Sequence, residues 1–304
     1  MEIIPIEILK GLESVYRLEL LCKGGFPVAR SKYGWDEKKY KRYIKEGRGK
    51  GEGPHYQPWI KVRDISSKGW STKAPGWKTG RIHHFISDNE LRYFYLLEWS
   101  DIVIDIREQF PLLELKETIK IADEAGIRYP VDQESGFPYV LTTDFLITVL
   151  CEGEKIRIAR TVKPSDELDK KRVIEKFEIE RRYWENRGVD WGIVTQREIP
   201  EVMADNIERL HDVYELKPLD NVDTSTLLDI ASILKQRLAF NDTSVKNALI
   251  DLDDEMQLEE GTSLYVLRHL IARKQVIVDM GKEIEIGKII IERVTSDSNG
   301  GEAF

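Results

Sequence analysis

Two carboxylates and one amine in the middle third of the chain could do chemistry together: Glu90, Asp144 and Lys163. Glu90 stands in Ser87-Asp88-Asn89-Glu90-Leu91, which reads as the first turn of a helix. Asp144 closes Tyr139-Val140-Leu141-Thr142-Thr143 and opens Phe145-Leu146-Ile147, a strand-like run. Lys163 follows Ile156-Arg157-Ile158-Ala159-Arg160-Thr161-Val162, a second strand-like run. Two carboxylates offer the oxygen ligands that a hard ion such as Mg²⁺ prefers. A lysine beside them can polarise a water or neutralise charge on a phosphoryl group. Asp144 interrupts an otherwise apolar β-run, and charges are rarely buried without a partner or a metal. Glu90 has a structural alternative: Ser87-x-x-Glu90 is a capping box, and on those four residues alone the cap is the better reading. Lys163, before Pro164, would by itself be an ordinary exposed lysine at a strand end.

The elements that must position these residues follow from periodicity. Leu91, Phe94, Tyr95 and Trp99 form one apolar face of a helix over Ser87–Trp99. Ile102–Ile106 reads as a strand cut off at Pro111, and 114–138 as a helix or loop excursion. A charged helix is expected from about Asp166 to Asn186, stopped at Gly188, and a further strand over Trp191–Thr195. Strands alternating with helices give an α/β core with a mixed sheet. On the charged helix, Ile174, Phe177 and Trp184 make an apolar stripe. Glu180 lies about 40° from Trp184 on the helical wheel, and Glu175 nearly opposite. Glu180 is therefore the helix acid placed to face the sheet, as a possible additional acid of the site or as the partner of Arg181 or Arg182.

Composition sets wider bounds. At 304 residues about two domains are expected. No apolar run reaches membrane-span length, and no signal peptide is read at the start, so a cytoplasmic chain without a membrane partner is expected. Cys22 and Cys151 lack metal-ligand spacing and read as reduced, buried thiols. The net charge of −8 hides a gradient. Residues 38–81 hold 13 Lys/Arg against 3 Asp/Glu, whereas 241–304 hold 7 against 13. The basic stretch carries aromatic residues and Gly47, Gly49, Gly51 and Gly53, which suits backbone approach to phosphate. Lys45, Arg48, Lys50, Lys78, Arg81, His83 and His84 are its candidate DNA contacts, with local packing as the other reading of the histidines.

From about Pro218 the pattern changes. Helical patterns over Thr224–Leu238, Ser244–Met256 and Ser263–Ala272 precede an expected hairpin of Val276–Met280 and Glu283–Ile286. Helices followed by a hairpin are winged-helix-like. The third helix carries Arg268, His269, Arg273 and Lys274, but the region is acidic, so protein binding is preferred over DNA reading. The expected domains are an N-terminal extension (1–41, with a short amphipathic helix near Ile6–Leu21), a nuclease-type core (42–217) and a winged-helix-like partner-binding domain (218–304).

Several strings in order carry a resemblance. They are Lys78-Thr79-Gly80-Arg81-Ile82-His83-His84, Ser87-Asp88-Asn89-Glu90-Leu91, Leu97-Glu98-Trp99, Asp105-Ile106-Arg107-Glu108-Gln109-Phe110-Pro111-Leu112-Leu113, and Phe177-Glu178-Ile179-Glu180-Arg181-Arg182-Tyr183-Trp184. Over roughly residues 42–215 the chain resembles the TnsA family, the endonuclease subunit of heteromeric cut-and-paste transposases. The resemblance implies a restriction-endonuclease-like mixed sheet flanked by helices. It implies Glu90, Asp144 and Lys163 as catalytic residues, and it reverses the reading of Glu90 as a mere cap. It also implies metal at Glu90, Asp144, Thr161 and the Val162 carbonyl, with Mg²⁺ in two sites, Mn²⁺ able to substitute. The implied partners are transposon-end DNA, a DDE-type transposase subunit (TnsB) and an AAA+ regulator (TnsC) docked by the C-terminal region. The implied activity is cutting of the non-transferred 5′ strands. One departure stands out: relatives carry Gln where this chain has Thr161, a poorer neutral ligand. A catalytically degenerate adaptor recruiting the regulator is the alternative, and a free-standing restriction-type nuclease a third.

Overall fold

The computed structural model describes residues 34–65, 71–240 and 244–295. The expected helix near Ile6–Leu21, and Cys22, lie outside them. The chain divides into two units, 1–199 and 200–304. The division falls earlier than the 217/218 boundary read from composition.

The first unit is built on a four-stranded mixed sheet of order β3-β4-β5-β6. β3 (Val103–Pro111), β4 (Thr142–Cys151) and β5 (Glu154–Val162) are antiparallel neighbours, and β6 (Asp190–Val194) runs parallel to β5. The parallel step requires a crossover, which α4 (Lys171–Glu185) supplies. Side chains alternate across a strand, so neighbours on β4 serve different faces. Phe145 meets Phe85 and Tyr93 on the side of α2 (Asp88–Trp99). Leu146 joins Leu112, Ile121, Ile179 and Trp184, the core beneath α3 (Leu115–Glu124) and α4. Asp144 and Thr161 share the parity of Leu146 and Ala159, which places both on the face that α4 covers.

Three features of this unit were not read from the sequence. α1 (Glu37–Lys45) crosses the expected 41/42 boundary, so residues 34–41 belong to the folded unit. β1 (Thr72–Pro75) and β2 (Ile82–Phe85) form an antiparallel pair. The glycine-rich stretch after α1 is a packed turn. A Cβ at Gly49 would fall 2.3 Å from Pro111 Cγ, and one at Gly51 2.4 Å from the His55 carbonyl oxygen, both at positive φ. These glycines let the chain wrap against β3. Cys151, at the end of β4, is free and half-buried.

The second unit holds α5 (Glu201–Leu210), α6 (Thr224–Ala239), α7 (Val245–Glu255), α8 (Thr262–Ala272), β7 (Val276–Val278) and β8 (Ile291–Val294). β7 pairs antiparallel with β8, so the second strand is not the expected 283–286. Asn206 on α5 explains the shift. Its amide donates to the Met280 and Lys282 carbonyls at 3.0 and 2.7 Å, and its Oδ1 accepts from Ile284 N–H at 3.2 Å. The backbone that would have paired as a hairpin is bonded to α5 instead. Asp253 accepts from Gly261 N–H and Ser263 N–H at 2.9 and 2.8 Å and sets the start of α8.

Candidate active site

Glu90 is set by the helix start. Ser87 caps α2, accepting from Glu90 N–H at 3.3 Å. The Glu90 carboxylate turns back, taking the Ser87 hydroxyl at 3.0 Å and Ile86 N–H at 3.1 Å. The cap and the placement at the site therefore coexist, since one carboxylate does both. Asp144 is fixed by the strand end, where Val162 N–H donates to its Oδ2 at 2.8 Å. Gln109 joins the two acids: its amide nitrogen lies 3.3 Å from Glu90 Oε2 and 3.3 Å from Asp144 Oδ1. Gln109 does so from left-handed backbone, φ 48°, inside β3. Sequence reasoning left Gln109 without a role, because a single inverted backbone position in a strand has no periodic signature.

Glu180 reaches the same place from α4. Its Oε1 accepts the Thr161 hydroxyl at 2.5 Å and the Trp191 indole N–H at 3.1 Å. Arg181 and Arg182 bind Glu178 instead, at 2.8 and 2.6 Å, so the salt-bridge alternative for Glu180 does not hold. Lys163 ion-pairs with Glu167 at 2.9 Å and is about one-third exposed. It lines one cavity together with Asp144, Thr161 and Glu180.

Electrostatics binds the group together. Burial first, then the negative charge of Asp144, pushes the Glu90 carboxyl well above the ordinary range. Burial likewise raises Asp144, partly offset by Val162 N–H, Lys163 and Gln109. Glu180 is pushed up to about 7 by burial, with Asp144 adding to the rise against hydrogen bonds from Thr161, Thr143 and Trp191. The charge of Asp144 thus raises both Glu90 and Glu180, a strain that a cation beside Asp144 would relieve. Among the described residues no three His, Cys, Asp or Glu side chains stand close enough to cage a metal by themselves. Mg²⁺ does not need such a cage, because it keeps waters and takes one or two carboxylates plus substrate oxygens. Glu90 and Asp144, within reach of one amide, fit that demand.

The expected DNA contacts separate into two groups. Lys45 and Lys50 are exposed, and Lys78 is partly so. Arg48, Arg81 and His83 are not available to phosphate. Arg48 is 2% exposed, binding Asp64 at 2.5 Å and the Trp59 carbonyl at 2.8 Å. Arg81 and His83 are both bonded to Glu108, at 2.5 and 2.8 Å. Those ion pairs hold the Glu108 carboxyl well below the usual range despite full burial. His84 is half-buried, and its Nδ1 accepts from Val62 N–H at 3.3 Å. The basic count of residues 38–81 thus overstates the charge that reaches solvent.

Comparison with known proteins settles the family. Residues 100–196 match the family model of the TnsA-like endonuclease N-terminal domain, and residues 198–280 that of the TnsA endonuclease C-terminal domain. The chain is 37% identical over 261 residues to the transposon Tn7 transposition protein TnsA of Escherichia coli, covering 86% of this chain and 93% of that protein. The chain belongs to the TnsA endonuclease family. It is a nuclease of transposition. The first matched segment holds Asp144, Thr161, Lys163 and Glu180; Glu90 lies ahead of it. The two matched segments meet within a few residues of the division between the units. No helix among the described residues is long and apolar enough to cross a membrane.

Proposed function

We propose that this TnsA-family chain is a Mg²⁺-dependent endonuclease that cuts the non-transferred 5′ strands at transposon ends, beside a DDE-type transposase subunit (TnsB) and an AAA+ regulator (TnsC). The observation that carries the reading is that Asp144, Glu180 and Lys163 line one cavity while Gln109 ties Asp144 to the buried Glu90. Glu90 and Asp144 would hold the ion, with the Val162 carbonyl as a further oxygen, and Mn²⁺ could replace it. When bound, the ion supplies Lewis-acid stabilisation of the phosphoryl oxygens and lowers the pKa of a bound water. Gln109 keeps the two acids in register through its amide. Lys163 places positive charge where the scissile phosphate and its attacking water must sit. In-line attack would leave a 5′-phosphate and a 3′-hydroxyl.

The second unit is assigned to partner binding, as a winged-helix-like module. The basic side chains on and just after α8 have partners within the unit: Arg268 binds Asp212 at 3.0 Å, His269 binds the Val213 carbonyl at 2.9 Å, and the exposed Arg273 guanidinium lies 4.6 Å from the centre of the Tyr214 ring. That favours a protein partner such as the regulator over major-groove reading.

The test is cleavage of labelled transposon ends by the full chain with transposase and ATPase. Divalent-ion-dependent nicking of the 5′ strand, lost in Asp144→Ala, is the expected result. A second reading, an adaptor without chemistry, is favoured by Thr161, whose hydroxyl hydrogen is committed to Glu180. Partner binding without metal affinity in calorimetry would select it.

A further inference from the structure

Gln109 stands between two acids with little freedom to leave them. β3 pairs Glu108 with Phe145 and Phe110 with Thr143, so Gln109 lies opposite Asp144. Its backbone is left-handed at φ 48°, and its carbonyl accepts from Trp59 N–H at 3.2 Å. A residue other than glycine persists in that conformation only where its surroundings hold it. The residue is 1% exposed. A side chain so enclosed has no solvent to swing into, but a glutamine can still turn about its last bond.

The two ends of the amide face different partners. Nε2 lies 3.3 Å from Glu90 Oε2 and 3.3 Å from Asp144 Oδ1, one hydrogen for each acid. Oε1 accepts the Thr142 hydroxyl at 3.4 Å. In the metal-free protein the two amide hydrogens therefore do part of a cation's work, drawing two carboxylates toward one point. That orientation is wrong once a cation is present. An ion held by Glu90 and Asp144 would face the positive end of the amide and take the acceptors from both hydrogens, and a buried donor without an acceptor is costly. Turning the amide over answers both demands. It sets Oε1, a neutral oxygen of the kind hard cations accept, toward the ion. It sets Nε2 toward Thr142. Thr142 suits either state, because a hydroxyl both donates and accepts. Its hydrogen serves Oε1 in one state, and its lone pairs take an N–H in the other.

We propose that Gln109 is a ligand of the metal: it bridges the acids through Nε2 before the ion binds and turns Oε1 to the ion afterwards. The inference deepens the nuclease reading above and rests on it for the presence of the ion. The acids are kept gathered in advance, and the ion displaces two hydrogens rather than a whole side chain.

The experiment uses the full chain labelled with ¹⁵N-glutamine. The Gln109 amide protons are followed by NMR as Mg²⁺ is added. At saturation they should move upfield, having lost their charged acceptors, and gain cross-relaxation to the Thr142 side chain. Because this is read in the wild-type chain, it does not depend on any variant folding. Gln109→Met keeps the length and loses the amide, so its Mg²⁺ affinity by calorimetry should fall about tenfold or more. Gln109→Glu supplies oxygen without hydrogens, so it should bind Mg²⁺ no more weakly than wild type. Both variants lack the hydrogens that bridge the acids, and their metal-free thermal midpoints should fall. Amide protons that keep their metal-free shifts and contacts at saturating Mg²⁺ overturn the proposal and leave Gln109 a brace. So does Mg²⁺ affinity in Gln109→Met that equals or exceeds wild type. A wild-type chain that binds neither Mg²⁺ nor Mn²⁺ overturns the nuclease reading along with its ligand, whereas the first two results overturn the ligand alone.

Discussion

Thr161 donates its hydroxyl hydrogen to Glu180 Oε1 over 2.5 Å. The bond ties a carboxylate on the crossover helix to β5, the strand that leads into Lys163, so Thr161 orients an acid in this chain. Thr161→Val should remove that bond while keeping the shape. Glu180 would then titrate above about 7, because one of the contacts that lowers it is lost. A hydrogen bond to a charged group contributes about 1.5–3 kcal/mol, so Mg²⁺ affinity at neutral pH should fall at least severalfold. Calorimetry measures the affinity and carboxyl NMR the titration. Thr161→Gln, whose amide can also donate to Glu180, should keep or raise Mg²⁺-dependent cutting; a strong loss would mean that the threonine itself is required.

Asp144→Asn keeps an acceptor for Val162 N–H and removes the charge that raises both Glu90 and Glu180. Cutting of the 5′ strand should be abolished, while the metal-free fold should be no less stable than wild type. Glu180 should titrate below about 7 in this variant. Joining of the 3′ ends by the partner transposase should persist. Normal 5′ cutting would remove Asp144 from the site, and an unmoved Glu180 titration would show that the two acids do not sense each other.

The raised carboxyl groups predict the direction of the metal-free stability curve. A carboxyl whose folded pKa lies above its unfolded value stabilises fully below the unfolded value, near 4.5, and that contribution is lost as pH rises through the folded value. For Glu180, buried and titrating at about 7, the loss is about 3 kcal/mol by pH 8. Glu90 and Asp144 shift the same way. Urea midpoints of the metal-free protein should therefore fall between pH 5 and 8, and Mg²⁺ should recover most of the fall while releasing protons. A metal-free midpoint that is flat or rises over this window would contradict the burial of these acids.

Local spacing made the helix at Ser87, the β4 and β5 runs and the inward side of Glu180 legible, because 3.6- and 2-residue periods are written into single segments. Contacts between distant segments were not legible. Arg81 and His83 are basic in the sequence, yet Glu108, about 25 residues on, buries them both. Asn206 diverts 280–284 from the hairpin that its own sequence favours. Gln109 has a role only because its backbone turns left-handed between two acids that are themselves far apart in sequence.

The same burial predicts how a scan of basic residues should divide. Glu108→Ala would leave Arg81 and His83 without their partner and cost about 3–5 kcal/mol of stability, with Arg81→Ala comparably damaging. Lys45→Ala and Lys50→Ala should stay within about 0.5 kcal/mol of wild type and weaken DNA binding with a reduced salt slope. Chemical denaturation and anisotropy titrations in parallel separate the two effects. A stable Arg81→Ala protein with a purely DNA-binding defect would restore that residue to the interface.

The division at residue 199 predicts where the chain can be cut. The nuclease unit holds every proposed metal ligand, so residues 1–199 should fold alone and bind Mg²⁺ by calorimetry. Truncation at 217 should behave worse, because it keeps α5 without its partners. Ala204, Ile207 and Leu210 form that helix's buried face, α5 packs against α8, and Asn206 would lose all three of its backbone bonds to 280–284. The exposed apolar face and the unsatisfied amide should appear as aggregation of 1–217 under conditions where 1–199 stays monomeric in gel filtration. Both truncations should lose binding to the AAA+ regulator in a pull-down while bare-DNA affinity changes little, since Arg268 and His269 already have partners within the unit. Regulator binding that survives in 1–199 would move the docking surface onto the nuclease unit, and a loss confined to DNA affinity would assign the second unit to the duplex.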